Sequence, residues 1–161
     1  MLAGRAEFGV GTSSVLVRRE KGAPLVVLAA VFQHSPSVLL VARRGGRNGR
    51  LSNLYEMQDQ RLMDAPDSDD IDAMLLARGV DYRHMPRVPH AGQVRWLAEG
   101  QADAMVAYRS NEPFELERLG LPYVAYSPRD AGIDFYGDNL FTTEAQLHGR
   151  PERVRAFREA S

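Results

Sequence analysis

Apolar and polar positions alternate along this chain in a β-α rhythm. Residues 7–10 form a short strand candidate, followed by Gly11 and the hydroxyl run Thr12-Ser13-Ser14, which suits a helix start. Val15, Leu16 and Arg19 continue that helix, and Gly22 stands where a helix-ending glycine belongs. Residues 25–32 are the longest apolar run, too short to span a bilayer, and read as a buried strand behind Gly22-Ala23-Pro24. Strand, helix and strand in this order favour parallel strands joined by a right-handed crossover. After Gln33-His34-Ser35-Pro36, residues 37–42 resume as a strand, and residues 43–50 form a basic, solvated loop.

The rhythm then repeats. Residues 61–64 predict a strand. Ser68 predicts the cap of a helix with Ile71, Met74 and Leu75 inward and Gly79 as its end. Residues 85–88, 103–107 and 122–126 predict strands. Between them lie a helix over 93–99, stopped by Gly100, and one that Asn111 caps, with Pro113 in its first turn and Gly120 at its end. Residues 133–141 alternate poorly and carry too many polar groups for a plain core strand. Thr143 with Gln146 predicts a capping box, and Pro151 the first turn of a last helix. The reading is α/β.

Composition narrows the function classes. Of 161 residues, 44% are hydrophobic and 25% charged, near globular averages, so the chain is expected to fold. A formal net charge of −1 carries no footprint for nucleic acid or an anionic membrane. The absence of cysteine removes disulfides, thiolate nucleophiles and thiolate metal sites together. Residues 1–10 lack the pattern of a secretory signal. The chain opens almost directly on a strand and stops inside a helical pattern, which reads as a piece excised from a longer protein.

In open α/β sheets, ligands bind beyond the carboxyl ends of strands. The loops there hold Thr12, Ser13, Ser14, Gln33, His34, Ser35, Ser68, Tyr108 and Asn111, the hydrogen-bonding groups that orient small molecules. Taken singly, Ser13, Ser68 and Asn111 read better as helix caps; the convergence of four loops shifts the balance toward a pocket. The acidic run Asp67, Asp69, Asp70 and Asp72 complements a helix dipole and lacks the spacing of a calcium loop. His34, His84, His90 and His148 show no zinc spacing, and no Gly-x-Ser-x-Gly elbow surrounds Ser13 or Ser14. No catalytic residue, metal or cofactor is expected.

Four segments resemble the thiamine-pyrimidine-synthesis-like solute-binding family, related to the receptors for nitrate, sulfonates and taurine. They are Glu7-Phe8-Gly9-Val10-Gly11-Thr12-Ser13-Ser14, Leu28-Ala29-Ala30-Val31-Phe32-Gln33-His34-Ser35-Pro36, Tyr108-Arg109-Ser110-Asn111-Glu112-Pro113 and Gly132-Ile133-Asp134-Phe135-Tyr136-Gly137-Asp138-Asn139. The resemblance implies a two-lobed, type II periplasmic binding-protein-like fold, with residues 1–36 and 136–161 as an incomplete lobe one and residues 37–135 as lobe two. It implies crossing segments at 33–36 and 136–140, and ligand contacts from Ser13, Ser14, Gln33, His34, Asn111, Glu112, Asp134, Tyr136 and Asp138, with Tyr136 stacking on or covering a ring. It also implies a periplasmic or otherwise extracytoplasmic receptor for a small molecule such as a pyrimidine-type thiamine precursor. The partner would be an ABC permease or the output domain of a sensor kinase or diguanylate cyclase, the class that the Ile-Asp-Phe-Tyr-Gly-Asp version most resembles. With an upstream β-α-β portion missing, the fragment is expected to self-associate.

Two departures from the family argue against a phosphate or sulfonate ligand: an Arg/Gly-rich region over 43–60, and an acidic turn at Ala65-Pro66-Asp67-Ser68-Asp69. Two other classes remain. A pyrimidine-synthase-like enzyme needs a cysteine-rich motif that this chain lacks. A structural, protein-docking lobe would act through sheet edges.

Overall fold

The computed structural model describes residues 4–43, 54–90 and 93–161; most of the basic loop expected at 43–50 lies outside them. In chain order the elements are β1 (Gly9–Gly11), α1 (Ser14–Glu20), β2 (Leu25–Ala30), β3 (Ser37–Ala42), β4 (Leu62–Asp64), α2 (Asp69–Ala77), β5 (Arg87–Pro89), α3 (Arg95–Glu99), β6 (Ala104–Tyr108), α4 (Glu112–Arg118), β7 (Tyr123–Tyr126), β8 (Asn139–Thr143), α5 (Glu144–Gly149) and α6 (Pro151–Ala160). They form two compact units, Met1–Ser35 with Phe135–Ser161, and Pro36–Asp134. Among the described residues, no helix is long and apolar enough to cross a membrane.

The unit Pro36–Asp134 is built on a five-stranded sheet of order β5-β4-β6-β3-β7. β4 runs parallel to β5 and β6, while β3 runs antiparallel to β6 and β7. Every residue of β3 is buried, and the pleat explains why that run is uniformly apolar. Leu39 and Val41 face one way, onto Leu54, Met57, Ile71, Met74 and Leu75. Val38, Leu40 and Ala42 face the other way, onto Met63, Leu97, Met105 and Leu116. Helices cover both faces, so no position on the strand has to be polar. Gly100 ends α3 at φ 80°, a left-handed conformation that a side chain would strain.

Leu54 and Met57, in a 3-10 turn (Leu54–Met57), complete one face of this core. Sequence periodicity did not predict that turn. β5 begins two residues later than expected, because Met85 drops into the core directly after a second 3-10 turn, Tyr82–His84.

The unit Met1–Ser35 with Phe135–Ser161 carries a three-stranded sheet of order β1-β8-β2. β8 lies between β1 and β2, antiparallel to both, so β1 and β2 run parallel to each other as expected although they are not neighbours. One expectation fails: residues 139–141, from the segment 133–141 whose polar content argued against a plain core strand, open that central strand. The polar groups are tolerated because each has a partner. The fully buried Thr142 donates its hydroxyl to the Glu7 carbonyl at 2.7 Å, and Asn139 donates to two carbonyls described below. Gly11 permits the close approach: a Cβ there would stand 3.1 Å from the Phe141 ring and 3.3 Å from Val15. Phe8 stacks on Phe157 at 3.9 Å between ring centroids, and Glu7 pairs with Arg153, so α6 is held against the start of the chain.

Candidate solute-binding surfaces

Within the unit Met1–Ser35 with Phe135–Ser161, the segments on either side of residues 33 and 136 lie next to each other. The Val31 and Phe32 amides donate to the Asp138 carbonyl at 2.8 and 3.2 Å, Gly137 N to the Phe32 carbonyl at 2.9 Å, and Ser35 N to the Phe135 carbonyl at 2.8 Å. This backbone ladder holds Gln33, His34 and Tyr136 at the surface, with Tyr136 54% exposed. Phe32 and Phe135 are exposed beside them; neither was among the predicted site residues, because an apolar residue at a strand end reads as core.

The hydroxyl loop joins the same ladder. Ser13 donates to the Tyr136 carbonyl at 2.6 Å, and Thr12 Oγ1 stands 2.5 Å from Ser14 Oγ. Ser13, expected as a helix cap, makes no side-chain cap bond to α1, whereas the Thr12 hydroxyl accepts from the Ser14 amide at 3.3 Å. Main-chain bonds from Val15 N to Thr12 O and Leu16 N to Ser13 O start the helix instead. Ser13 thereby keeps its lone pairs as acceptors, while Ser14 is buried. Beneath the loop, the side-chain amide of Asn139 donates to the Gly137 carbonyl at 2.7 Å and to the Gly11 carbonyl at 3.4 Å. Asn139 is 3% exposed and ties the hydroxyl loop to the ladder. It lay inside the family-like motif and was not predicted as a site residue.

In the unit Pro36–Asp134, the remaining predicted residues are Asn111 and Glu112 at the start of α4, and Asp134 in the segment after β7. Glu112 folds back on its own turn, accepting from the Tyr108 amide at 2.8 Å and from the Asn111 side-chain amide at 2.9 Å. Asn111 therefore does not cap α4 with its side chain. Asp134 pairs with Arg129 at 3.6 Å. Ser68, also expected as a cap, donates to Asp64 at 2.8 Å and to the Ala65 carbonyl at 2.9 Å. The hydroxyl gives its proton to a carboxylate one turn upstream, and its oxygen makes no cap bond to a helix amide.

The acidic run opening α2 is partly neutralised. Arg87 pairs with Asp64 and lies 4.0 Å from Asp72. Burial, together with the negative charge of Asp64, pushes the Asp72 carboxyl up to about 6, with Arg87 acting in the opposite direction. A carboxyl raised in the folded state contributes stability that is full below the unfolded pKa near 4 and is lost as pH rises through about 6. Asp72→Asn should therefore flatten the fall in stability between these limits and be more stable at neutral pH, by about 1–2 kcal/mol after allowance for its partial exposure. Urea unfolding of both proteins across that pH range tests this; identical slopes would reject it.

The sequence model of the NMT1/THI5-like family matches residues 1–161. The chain belongs to that family. No functionally curated protein matches this NMT1/THI5-like chain in sequence. Solved structures match its fold. A protein from Bordetella bronchiseptica RB50 aligns at TM-score 0.80 and 19% identity, over 99% of this chain and 54% of its own. The periplasmic aliphatic sulphonate binding protein SsuA from Escherichia coli aligns at 0.66 and 13%, over 96% and 53%. The zinc-bound ligand-binding component of an ABC-type import system from Staphylococcus aureus aligns at 0.65 and 16%, over 95% and 53%. The fold is thus that of the type II periplasmic binding proteins, and the NMT1/THI5-like chain spans about half the length of these structures.

Proposed function

We propose that this chain is the ligand-binding part of an extracytoplasmic small-molecule receptor rather than an enzyme. The observation that carries the reading is the ladder of four backbone hydrogen bonds between residues 31–35 and 135–138. Along it the rings of Phe32, Phe135 and Tyr136 are exposed, Gln33 and His34 follow Phe32, Asp138 accepts through its carbonyl and Ser13 donates to the Tyr136 carbonyl, in a chain of the NMT1/THI5-like family. A flat, hydrogen-bonding solute such as an aminopyrimidine suits rings flanked by acceptors and amides. Ser13 and Ser14 from the hydroxyl loop belong to the same proposed surface; within the unit Pro36–Asp134, Asn111, Glu112 and Asp134 are the proposed solute contacts. The receptor would feed either an ABC permease or, following the Ile133-Asp134-Phe135-Tyr136-Gly137-Asp138 segment, a sensor kinase or diguanylate cyclase output domain.

Calorimetric titration with an aminopyrimidine, an alkanesulfonate and an amino acid tests the reading. The aminopyrimidine should bind, and Tyr136→Ala should weaken it by roughly tenfold, the loss of about 1.5 kcal/mol of ring contact. Equal affinity in the variant would remove Tyr136 from the site, and steady turnover of the aminopyrimidine would replace the receptor reading with an enzyme.

Among the described residues, β1 pairs on one edge only, and Val10, Leu16 and Val17 are exposed around it. Strands with a bare edge and apolar neighbours pair with other chains. The isolated chain is therefore expected to self-associate, and light scattering over a concentration series should show its mean mass rising. A constant monomeric mass would count against this.

A further inference from the structure

The unit Pro36–Asp134 holds a cavity of about 410 Å³ that none of the proposed solute contacts lines. We infer that this cavity is a second binding site, for a small molecule with a flat apolar body, one carboxylate and one nitrogen donor: the chemistry of an aromatic amino acid. The inference does not rest on the receptor reading of the other unit.

Leu54 and Met74, both buried, form an apolar floor, and the rings of Tyr55 and Tyr126 stand at its walls. The Tyr55 ring lies beside Gly79, whose φ of 79° is the left-handed turn that ends α2 and favours glycine there. The volume matters: an apolar cavity of about 150 Å³ accepts benzene, so this one has room for a larger ring system carrying two polar groups.

Both charges open onto the same space. Arg78 closes α2 through its backbone amide, and Asp130 lies in the 3-10 turn Arg129–Ala131. Neither the Arg78 guanidinium nor the Asp130 carboxylate forms an ion pair or hydrogen bond among the described residues, with each other or with any neighbour. Both side chains are exposed and solvated, and a cation and an anion lining one cavity match a ligand that carries the opposite charge at each end. Ser127, 8% exposed, adds a hydroxyl to the wall. Burial raises the Tyr126 phenol, so it remains a protonated donor at neutral pH.

The test uses L-tryptophan as probe, with tryptamine lacking the carboxylate and indole-3-propionate lacking the amine, followed by amide chemical shifts and calorimetry. L-tryptophan should bind more tightly than either comparator and shift the amides of Met74, Tyr126, Ser127 and Ala131. Arg78→Gln should weaken L-tryptophan at least tenfold and leave tryptamine unchanged, with no change in thermal midpoint because the side chain is exposed. Ala131→Phe, which fills the space, should abolish binding, and Tyr136→Ala should leave it intact. No saturable binding up to the solubility of L-tryptophan would overturn the inference. So would unchanged affinity in Arg78→Gln, or loss of binding in Tyr136→Ala.

Discussion

Asn139→Asp is expected to unfold the sheet β1-β8-β2 far more readily than Asn139→Ala, although aspartate is the closer match in shape. The native amide is 3% exposed and donates to the carbonyls of Gly137 and Gly11, so the site needs donors. Alanine removes them and leaves two acceptors short, for about 2 kcal/mol. Aspartate keeps the volume but places a carboxylate against those same acceptors in a buried position, which adds several kcal/mol or forces the group to take up a proton. Amide hydrogen exchange at Val10 and Leu140 reads the local opening of this sheet. Exchange should accelerate roughly thirtyfold in the alanine variant, the equivalent of about 2 kcal/mol, and more in the aspartate variant at neutral pH. Lowering the pH should bring the two variants together. Equal exchange at neutral pH would show that Asn139 is a spacer, not a donor.

The second large effect concerns Asp103, at the start of β6. Its carboxylate is 6% exposed and accepts from Arg61 three times: Nε at 2.9 Å, a terminal nitrogen at 2.9 Å and the backbone amide at 3.0 Å. The pairing holds the Arg61 guanidinium above its ordinary value. The Asp103 backbone extends the same node, donating to the Arg61 carbonyl and accepting from Ala42 N, so one residue fastens β3, β4 and β6. Breaking a fully buried ion pair costs about 3–5 kcal/mol. Arg61 is 42% exposed and can regain water, so Asp103→Ala is expected to cost about 2–3 kcal/mol. Asp103→Asn retains one acceptor and should cost about half of that. In a double-mutant cycle, Arg61→Ala combined with Asp103→Ala should cost clearly less than the two singly added. Trp96 packs against this core and gives a fluorescence signal for urea unfolding. Additive losses would mean that the carboxylate acts through its backbone position alone.

Neither Asn139 nor Asp103 stood out along the chain, whereas much of their surroundings did. Residues 37–42 form a strand because a six-residue run flanked by a proline and a basic stretch has no other way to bury itself on both sides. Local chemistry also suffices where Thr143 accepts from Gln146 N at 3.3 Å, and where Pro151 opens α6. These interactions close within one helical turn, so residue order alone determines them.

The caps at Ser13, Ser68 and Asn111 show where local rules lose. Each side chain could have offered its oxygen to its own helix, but each is oriented by the proton it donates: to the Tyr136 carbonyl, the Asp64 carboxylate and the Glu112 carboxylate. Of these, only Tyr136 is remote in sequence, at a separation of 123 residues, and no periodicity reports such a partner.

The insertion of β8 between β1 and β2 has the same origin. A polar strand becomes a central one only when its neighbours supply partners for Asn139 and Thr142, and those partners, Gly11 and Glu7, come from the opposite end of the chain. Residue order was enough for the β-α rhythm, for strand β3 and for the hydroxyl-rich loops, but not for burial: of the run 25–32, expected as a buried strand, only Leu25 is buried, while every residue of β3 is. The order of strands, the partner of each buried polar group and the ladder that presents Tyr136 were decided by contacts across long stretches of chain, because a hydrogen bond rewards whichever donor the folded backbone brings within reach.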